Sequence, residues 1–194
     1  MATQKSPAKK KTLAKKSTTR QSAVKKAATG RSTSAKKSTR STSRGAASAD
    51  ATAVLTRDHK KVHSLFQKYK KLLKADADGS DRQALAEQIC TELTVHASIE
   101  EEIFYPAARA AGVDDDLLDE ADVEHQSVKS LVAQIRAMAP DDDLYDAKVT
   151  VLGEYVDHHV EEEEGEMFRK CRRAKMDLAD LGERLEARKA ELMG

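Results

Sequence analysis

Two short segments of the chain repeat one arrangement of metal-binding residue types. His96–Glu101 places a histidine four residues before a glutamate, with a second glutamate directly after it, and His159–Glu164 does the same. Residues four apart lie one above the other on a single face of an α-helix. Each segment can therefore aim one imidazole and one carboxylate at the same point. Two such helices facing each other would supply two nitrogens and two oxygens to one buried metal site.

Beyond its first 50 residues, the chain has the sequence pattern of helices. Apolar residues recur with helical spacing over about 56–75, 80–105, 114–139 and 141–167, and a shorter fifth pattern covers about 177–193. The connections are short, and no alternation of apolar and polar residues competes. We therefore expect residues 51–194 to form one all-α domain, an up-down-up-down antiparallel four-helix bundle with a short C-terminal helix.

Each of the four predicted apolar faces carries one histidine, and two faces also carry a glutamate one turn later. A lone histidine on such a face is usually a hydrogen-bonded core residue, but an unpaired buried carboxylate is costly. A metal is the simplest partner for six convergent side chains, and ligands without thiolates suit non-haem iron, manganese or zinc. Four imidazoles and two bridging carboxylates would fit two ions. The predicted ligands are His59, His96, Glu100, His125, His159 and Glu163.

These motifs resemble those of the hemerythrin-like, or HHE cation-binding, domains over about residues 55–192. The resemblance implies a left-handed four-helix bundle around a non-haem centre, usually of two iron ions, with the same six residues as ligands. It also implies dioxygen, peroxide or a related oxidant as the small ligand. Zinc and manganese are less expected, since zinc generally prefers four ligands. The matching motifs are Asp58-His59, His96-x3-Glu100-Glu101-x2-Phe104-Tyr105-Pro106, Glu124-His125 and His158-His159-x3-Glu163-Glu164-Gly165-Glu166-Met167-Phe168.

One position departs from the oxygen-carrying members of this family. Those proteins have a fifth histidine four residues after the one that corresponds to His125, where this chain has Lys129. Three residues are candidates to replace it: His63 in the first helix, and the second glutamates of the two motifs, Glu101 and Glu164. Simple reversible oxygen carriage is therefore not the expected function. Oxygen or oxidant sensing, a di-iron enzyme that decomposes peroxide in oxidative-stress defence, and iron holding on DNA all stay open.

Four more residues are expected to lie near the predicted metal centre or behind its ligands. His158 points about 100° away from its neighbour His159 around the helix, so we expect it at the surface or behind the ligands. Tyr105, Tyr145 and Tyr155 are expected near the core. Tyrosines near iron can hydrogen-bond a bound oxygen species, but core packing is the commoner role.

The first 50 residues have a different composition. They hold 10 lysines and 4 arginines against one acidic residue, a net charge of +13, so the remaining 144 residues carry −12. Only Leu13 and Val24 are large and apolar, and we expect this Lys/Ser/Ala-rich tail to be disordered. Its composition resembles linker-histone-like tails and predicts non-specific, salt-dependent binding of nucleic acid. A solvated tail with incidental polyanion affinity and an organelle transit peptide are the alternatives.

The remaining composition bears on location. No apolar run approaches the roughly 18 residues of a membrane span, and the first residues lack the apolar centre of a signal peptide. Cys90 and Cys171 have no spacing typical of a disulfide framework or a zinc motif, so we expect two reduced thiols. The expected location is the cytoplasm, without a membrane partner, and at the nucleoid if the tail binds DNA.

Overall fold

The computed structural model describes residues 49–194, and the predicted basic tail lies outside this range except for its last two residues. Every regular element in the described part is helical. The π-helical segments Glu100–Phe104 and Glu163–Met167 interrupt two of the long helices. The α-helices are α1 (Ala51–Lys74), α2 (Gly79–Ile99), α3 (Tyr105–Ala110), α4 (Asp115–Arg136), α5 (Tyr145–Glu162), α6 (Phe168–Arg173) and α7 (Leu178–Met193).

Aspartate side chains cap three of these helices, with Asp177 at the start of α7. Asp50 caps α1 by accepting a hydrogen bond from the Ala53 amide at 2.9 Å, and Asp78 caps α2 by accepting one from the Ser80 amide. Such caps satisfy amides that have no partner within the helix. The prediction that α1 begins near residue 56 was therefore wrong by about one turn. Ala51, Val54 and Leu55 extend its buried face towards the N-terminus.

The prediction of a helix from residue 141 was also wrong at its start. Asp142 accepts a hydrogen bond from the Ala139 amide through its side chain, and the Asp142 carbonyl accepts one from the Tyr145 amide. These bonds close turns, and α5 begins only at Tyr145. Aspartates suit turns as well as helix N-termini, which is why the acidic run did not distinguish the two.

The long helices α1, α2, α4 and α5 form the predicted bundle, and α7 is the predicted short C-terminal helix. α1 packs mainly on α2, α4 packs mainly on α5, and α7 lies across α1 and α2. Short connections make successive long helices antiparallel. Among the described residues, no helix is both long and apolar enough to cross a membrane.

The buried core has two apolar clusters with a polar layer between them. One cluster contains Leu55 of α1 and Ile99 of α2, and the other contains Val62 and Leu93 of the same helices. Histidines occupy the positions between these apolar residues on α1 and α2, and the same order holds on α4 and on α5 together with the π-helical segment that follows it. The fold therefore holds the histidines at one level of the bundle, shielded by apolar side chains above and below.

Candidate metal centre

Four buried imidazoles, one from each long helix, meet in this layer. The Nε2 atoms of His59 and His96 are 3.0 Å apart, and those of His125 and His159 are 3.3 Å apart. Each helix brings its histidine inward because the residue lies on the same face as the apolar positions one or two turns away. The four rings thus form two pairs, with their Nε2 atoms directed into the bundle.

Two carboxylates lie between the imidazole pairs. Glu100 is 0% exposed, with Oε1 3.2 Å from His96 Nε2 and Oε2 3.4 Å from His125 Nε2. Glu163 is 1% exposed, with Oε2 3.3 Å from His59 Nε2. Glu100 therefore reaches one imidazole of each pair. The structure brings all six predicted ligands together, in two overlapping groups that share Glu100.

The carboxylate oxygens have no adequate partners in the protein. Neither oxygen of Glu100 and neither oxygen of Glu163 has a hydrogen-bond partner, although all four are buried. A buried carboxylate without partners costs several kcal/mol, on the order of the desolvation penalty of a charge. Imidazole nitrogens and carboxylate oxygens, with no thiolate, are ligands that suit a transition-metal cation. The residues present therefore fit a bound metal.

Burial and the neighbouring charges set the protonation of this layer when no metal is bound. Burial lowers the pKa of His96 to about 4, so its imidazole is neutral at pH 7. Burial and the charge of Glu163 raise the pKa of Glu100 well above the usual carboxyl range. Burial also acts to raise the pKa of Glu163, but His59, whose Nε2 lies 3.3 Å from Oε2, and the other nearby imidazoles outweigh it and hold that pKa at about 2. Glu100 thus holds the proton that a metal would displace.

A second ring of carboxylates faces the outer nitrogens of the histidines. The Nδ1 atoms of three histidines lie 2.8 to 2.9 Å from glutamate oxygens, and His96 Nδ1 lies 3.9 Å from Asp58 Oδ2. Such outer carboxylates fix the orientation of a ligating imidazole and raise its basicity. The pairs are His59 with Glu164, His125 with Glu101, His159 with Glu124, and His96 with Asp58.

The three additional ligand candidates lie outside the inner group. Glu101 and Glu164 contact the outer Nδ1 atoms of histidines. The side chain of His63 is 57% exposed and lies 3.2 Å from Asp157. Lys129, which stands where oxygen carriers have a fifth histidine, is paired with Glu101. In the described part of the chain, the inner group therefore contains four histidines.

Sequence reasoning did not assign roles to Asp58 and Glu124. Each directly precedes a histidine in the chain, but each faces the histidine of a different helix, His96 and His159 respectively. Their position directly before a histidine was the feature of the sequence that could have pointed to them. Which imidazole ring each carboxylate contacts follows only from the packing of the helices. Glu124 also lies 3.6 Å from His158, whose side chain is 63% exposed, in agreement with the expected surface position of that histidine.

The three tyrosines have different environments. The Tyr105 hydroxyl lies 3.3 Å from His125 Nε2, and burial raises the pKa of this phenol well above its usual value. Tyr145 is buried in the apolar cluster that contains Val62. Tyr155 is 49% exposed, so the expectation that it lies near the core was wrong.

Cys90 and Cys171 are free and buried, and burial raises the pKa of each thiol to about 11.

Known proteins share this architecture. A hemerythrin HHE cation-binding domain protein from Mycobacterium kansasii, solved by crystallography, has a TM-score of 0.62 and 26% sequence identity, covering 74% of this chain and 87% of that one. A DNA nickase from Nostoc sp. is 34% identical over 115 residues, which are 59% of this chain but only 31% of that protein. The sequence model described as the hemerythrin HHE cation binding domain matches residues 50–171. The chain therefore belongs to the hemerythrin HHE cation-binding family.

Proposed function

We propose that this chain is a non-haem di-iron protein whose buried centre binds dioxygen or a related oxidant such as peroxide. The observation that carries the proposal is the set of four unpaired, buried carboxylate oxygens on Glu100 and Glu163, among four inward-directed imidazole nitrogens. Carboxyl groups at this depth are costly without a cation, whether they stay ionised or take up a proton. The protein atoms alone leave this cost uncompensated, and two divalent ions would compensate it.

The two overlapping groups suggest how two ions would be held. His59 and His96 would bind one ion together with Glu100 and Glu163, and His125 and His159 would bind the other together with Glu100. Zinc in structural sites takes four ligands, so a six-residue set with a shared carboxylate favours iron. Bound iron would supply the redox chemistry for an oxygen ligand, while the protein holds the imidazoles through Asp58, Glu101, Glu124 and Glu164.

The space beside the histidines supports a small ligand. A cavity of about 20 Å³ is lined by the four histidines and by apolar side chains such as Val62 and Leu93. A single water needs roughly 10–15 Å³ measured in this way, so the cavity suits a ligand of about one to two heavy atoms. Apart from the four histidines, all of the side chains that line the cavity are apolar. Dioxygen and hydrogen peroxide fit these limits, whereas an organic substrate does not.

Optical spectroscopy of the iron-loaded protein tests this function. We expect near-ultraviolet absorption bands in air that fade on reduction and return when oxygen is admitted. The matched pair His159→Ala and His158→Ala tests the residues, because only the first removes an inward-directed imidazole. We expect the bands to be lost or strongly reduced in H159A and kept in H158A. Bands that do not respond to reduction and oxygen, or that are equal in both variants, would overturn the proposal.

The basic tail supports a second property, association with DNA. Residues 1–50 carry a net charge of +13, which would release counterions from a phosphate backbone on binding. A Nostoc relative that shares part of this chain's sequence is named a DNA nickase. We propose that the tail holds the folded domain on DNA without recognising a particular base sequence. This binding would place the protein in the cytoplasm, at the nucleoid.

Truncation tests the tail. The deletion should end at residue 48, because Asp50 caps α1 and Ala49 packs against Gly182. We expect the truncated protein to lose retention on DNA while its iron content stays unchanged. Affinity of the full chain should fall steeply between about 50 and 200 mM salt. Equal retention of the truncated and full-length proteins would contradict a tether in the tail.

A further inference from the structure

Side chains of the four long helices separate the cavity beside the histidines from solvent. Its apolar lining comes from all four long helices, and on α5 it consists of Val156 and Val160. Val156 is buried, and Val160 is half-buried. Small ligands reach such a site only past the side chains that separate it from solvent. The faces of the bundle differ in the side chains that such a ligand would have to pass.

One surface groove shares lining residues with this cavity. It has a volume of about 270 Å³, lies between α1 and α5, and is lined by polar side chains that include Lys60, His63 and Asp157. Its inner wall is formed by His59, Val156 and Val160, which also line the inner cavity. The groove and the cavity are therefore separated by one layer of side chains.

The opposite face of α5 is connected less closely, since a small pocket between α4 and α5 shares only His159 with the cavity and has no room for a water. A groove between α4 and α5, lined by Val123, Glu124, Ser127, Tyr155 and His158, shares no lining residue with the cavity. The helix packing agrees with this difference, since α4 packs extensively on α5, whereas α1 and α5 pack on each other much less. The α1–α5 face thus offers the thinner barrier and the looser helix pair.

We propose that the α1–α5 groove is the entrance to the metal centre and that Val156 and Val160 form its gate. His59 is the fixed part of the wall, because Glu164 holds its Nδ1 at 2.8 Å. The valines are the parts that must move, and side-chain rotations are among the fast motions of a protein. This inference rests on the proposed function only in requiring a metal centre that binds an external ligand.

Stopped-flow binding of azide to the oxidised, iron-loaded full-length protein tests the gate. Azide is a probe of three heavy atoms whose binding is read from the optical spectrum. We expect Val160→Phe to slow association and dissociation in parallel by about tenfold or more, with the dissociation constant unchanged, because a barrier affects both directions equally. Val160→Ala should speed both. Val123→Phe, in the α4–α5 groove, is the matched control and should change neither rate.

The outcomes separate the gate from the function. Slower rates in V123F but not in V160F would place the entrance on the other face and overturn the inference. A changed dissociation constant in V160F with an unchanged association rate would show a contact with the ligand rather than a gate, and would also overturn it. Failure of the wild-type iron-loaded protein to bind azide at all would overturn the proposed function itself, and the entrance with it.

Discussion

Glu100 contacts a histidine from each half of the centre, His96 at 3.2 Å and His125 at 3.4 Å. We predict that Glu100→Gln lowers iron binding to at most one ion per chain, because the shared carboxylate is lost. The metal-free variant should be more stable at pH 7 than the metal-free wild type by about 1–3 kcal/mol, because glutamine is already neutral, whereas Glu100 must take up a proton to be buried without a cation. Iron content and thermal unfolding of both proteins check this.

Glu102→Gln is the control for that substitution. Glu102 is in the same π-helical segment but is exposed, and it pairs with Arg188 at 2.7 Å. Exposed ion pairs contribute little to stability, so iron content and unfolding should both stay close to wild type. Equal iron loss in the two variants would mean that the segment, and not the Glu100 carboxylate, determines metal binding.

Lys189 connects the C-terminal helix to the outer ring of carboxylates. Its ammonium donates to the buried carboxylate of Asp58, which faces His96. We predict that Lys189→Met destabilises the fold by about 2 kcal/mol, because a buried carboxylate loses its cation. Arg184→Met removes an exposed pair with Asp180 and should have almost no effect. Urea unfolding measures both, and similar losses would argue against a special role for Lys189.

At the scale of elements, α7 approaches α1 closely at a glycine. A Cβ atom on Gly182 would lie 2.2 Å from the backbone oxygen of Ala49 and 3.0 Å from the Ala51 nitrogen. We predict that Gly182→Ala destabilises the protein by about 1–3 kcal/mol, since backbone must shift to remove the overlap. Unfolding by heat or urea checks this, with Gly165→Ala as the control.

The control glycine has open space around it. No heavy atom lies within 4 Å of a Cβ built on Gly165. Alanine is favoured over glycine in helices by up to about 1 kcal/mol, so G165A should be neutral or slightly stabilising. If G182A were equally neutral, the close packing of α7 on the start of α1 would not be a stabilising feature.

Helix faces were predictable from the sequence because the apolar spacing extends over several turns. His125 and its apolar neighbours Leu118, Val128 and Val132 are all buried on α4 as the spacing predicts. The π-helical segments were not predictable, because each begins at the glutamate that ends a regular α-helical histidine–glutamate spacing. Glu100 and Glu163 each start one, so both predicted carboxylates lie where the helix widens. Such segments occur often at functional sites.

The outer ring of carboxylates shows the other limit of sequence reasoning. Spacing within one helix identifies Glu100 as a partner of His96, four residues earlier. It does not identify Glu124 as the partner of His159, since that contact depends on how α4 and α5 pack. Contacts between helices follow from rotation and register, which apolar spacing fixes only approximately.

For the whole molecule, folding and metal binding are linked through protons. Burial and Glu163 raise the pKa of Glu100, so the metal-free fold holds a proton that the unfolded chain loses above the usual carboxyl range. The contribution of Glu100 to the stability of the metal-free protein is therefore lost as pH rises from the usual carboxyl range towards its raised pKa. Metal binding displaces this proton, so we predict that iron affinity rises by about tenfold per pH unit for each proton released. Calorimetric titrations in buffers of different ionisation enthalpy count the protons, and pH-independent affinity would contradict the linkage.

Across the whole molecule, we propose that six buried residues form one centre for two iron ions. Native mass spectrometry of the full-length protein after anaerobic loading with ferrous iron tests it most directly, because it counts the ions bound to each folded chain. We predict a mass increase of two irons per chain, retained after gel filtration. A chain that binds no iron, or that holds only substoichiometric zinc, would contradict the account.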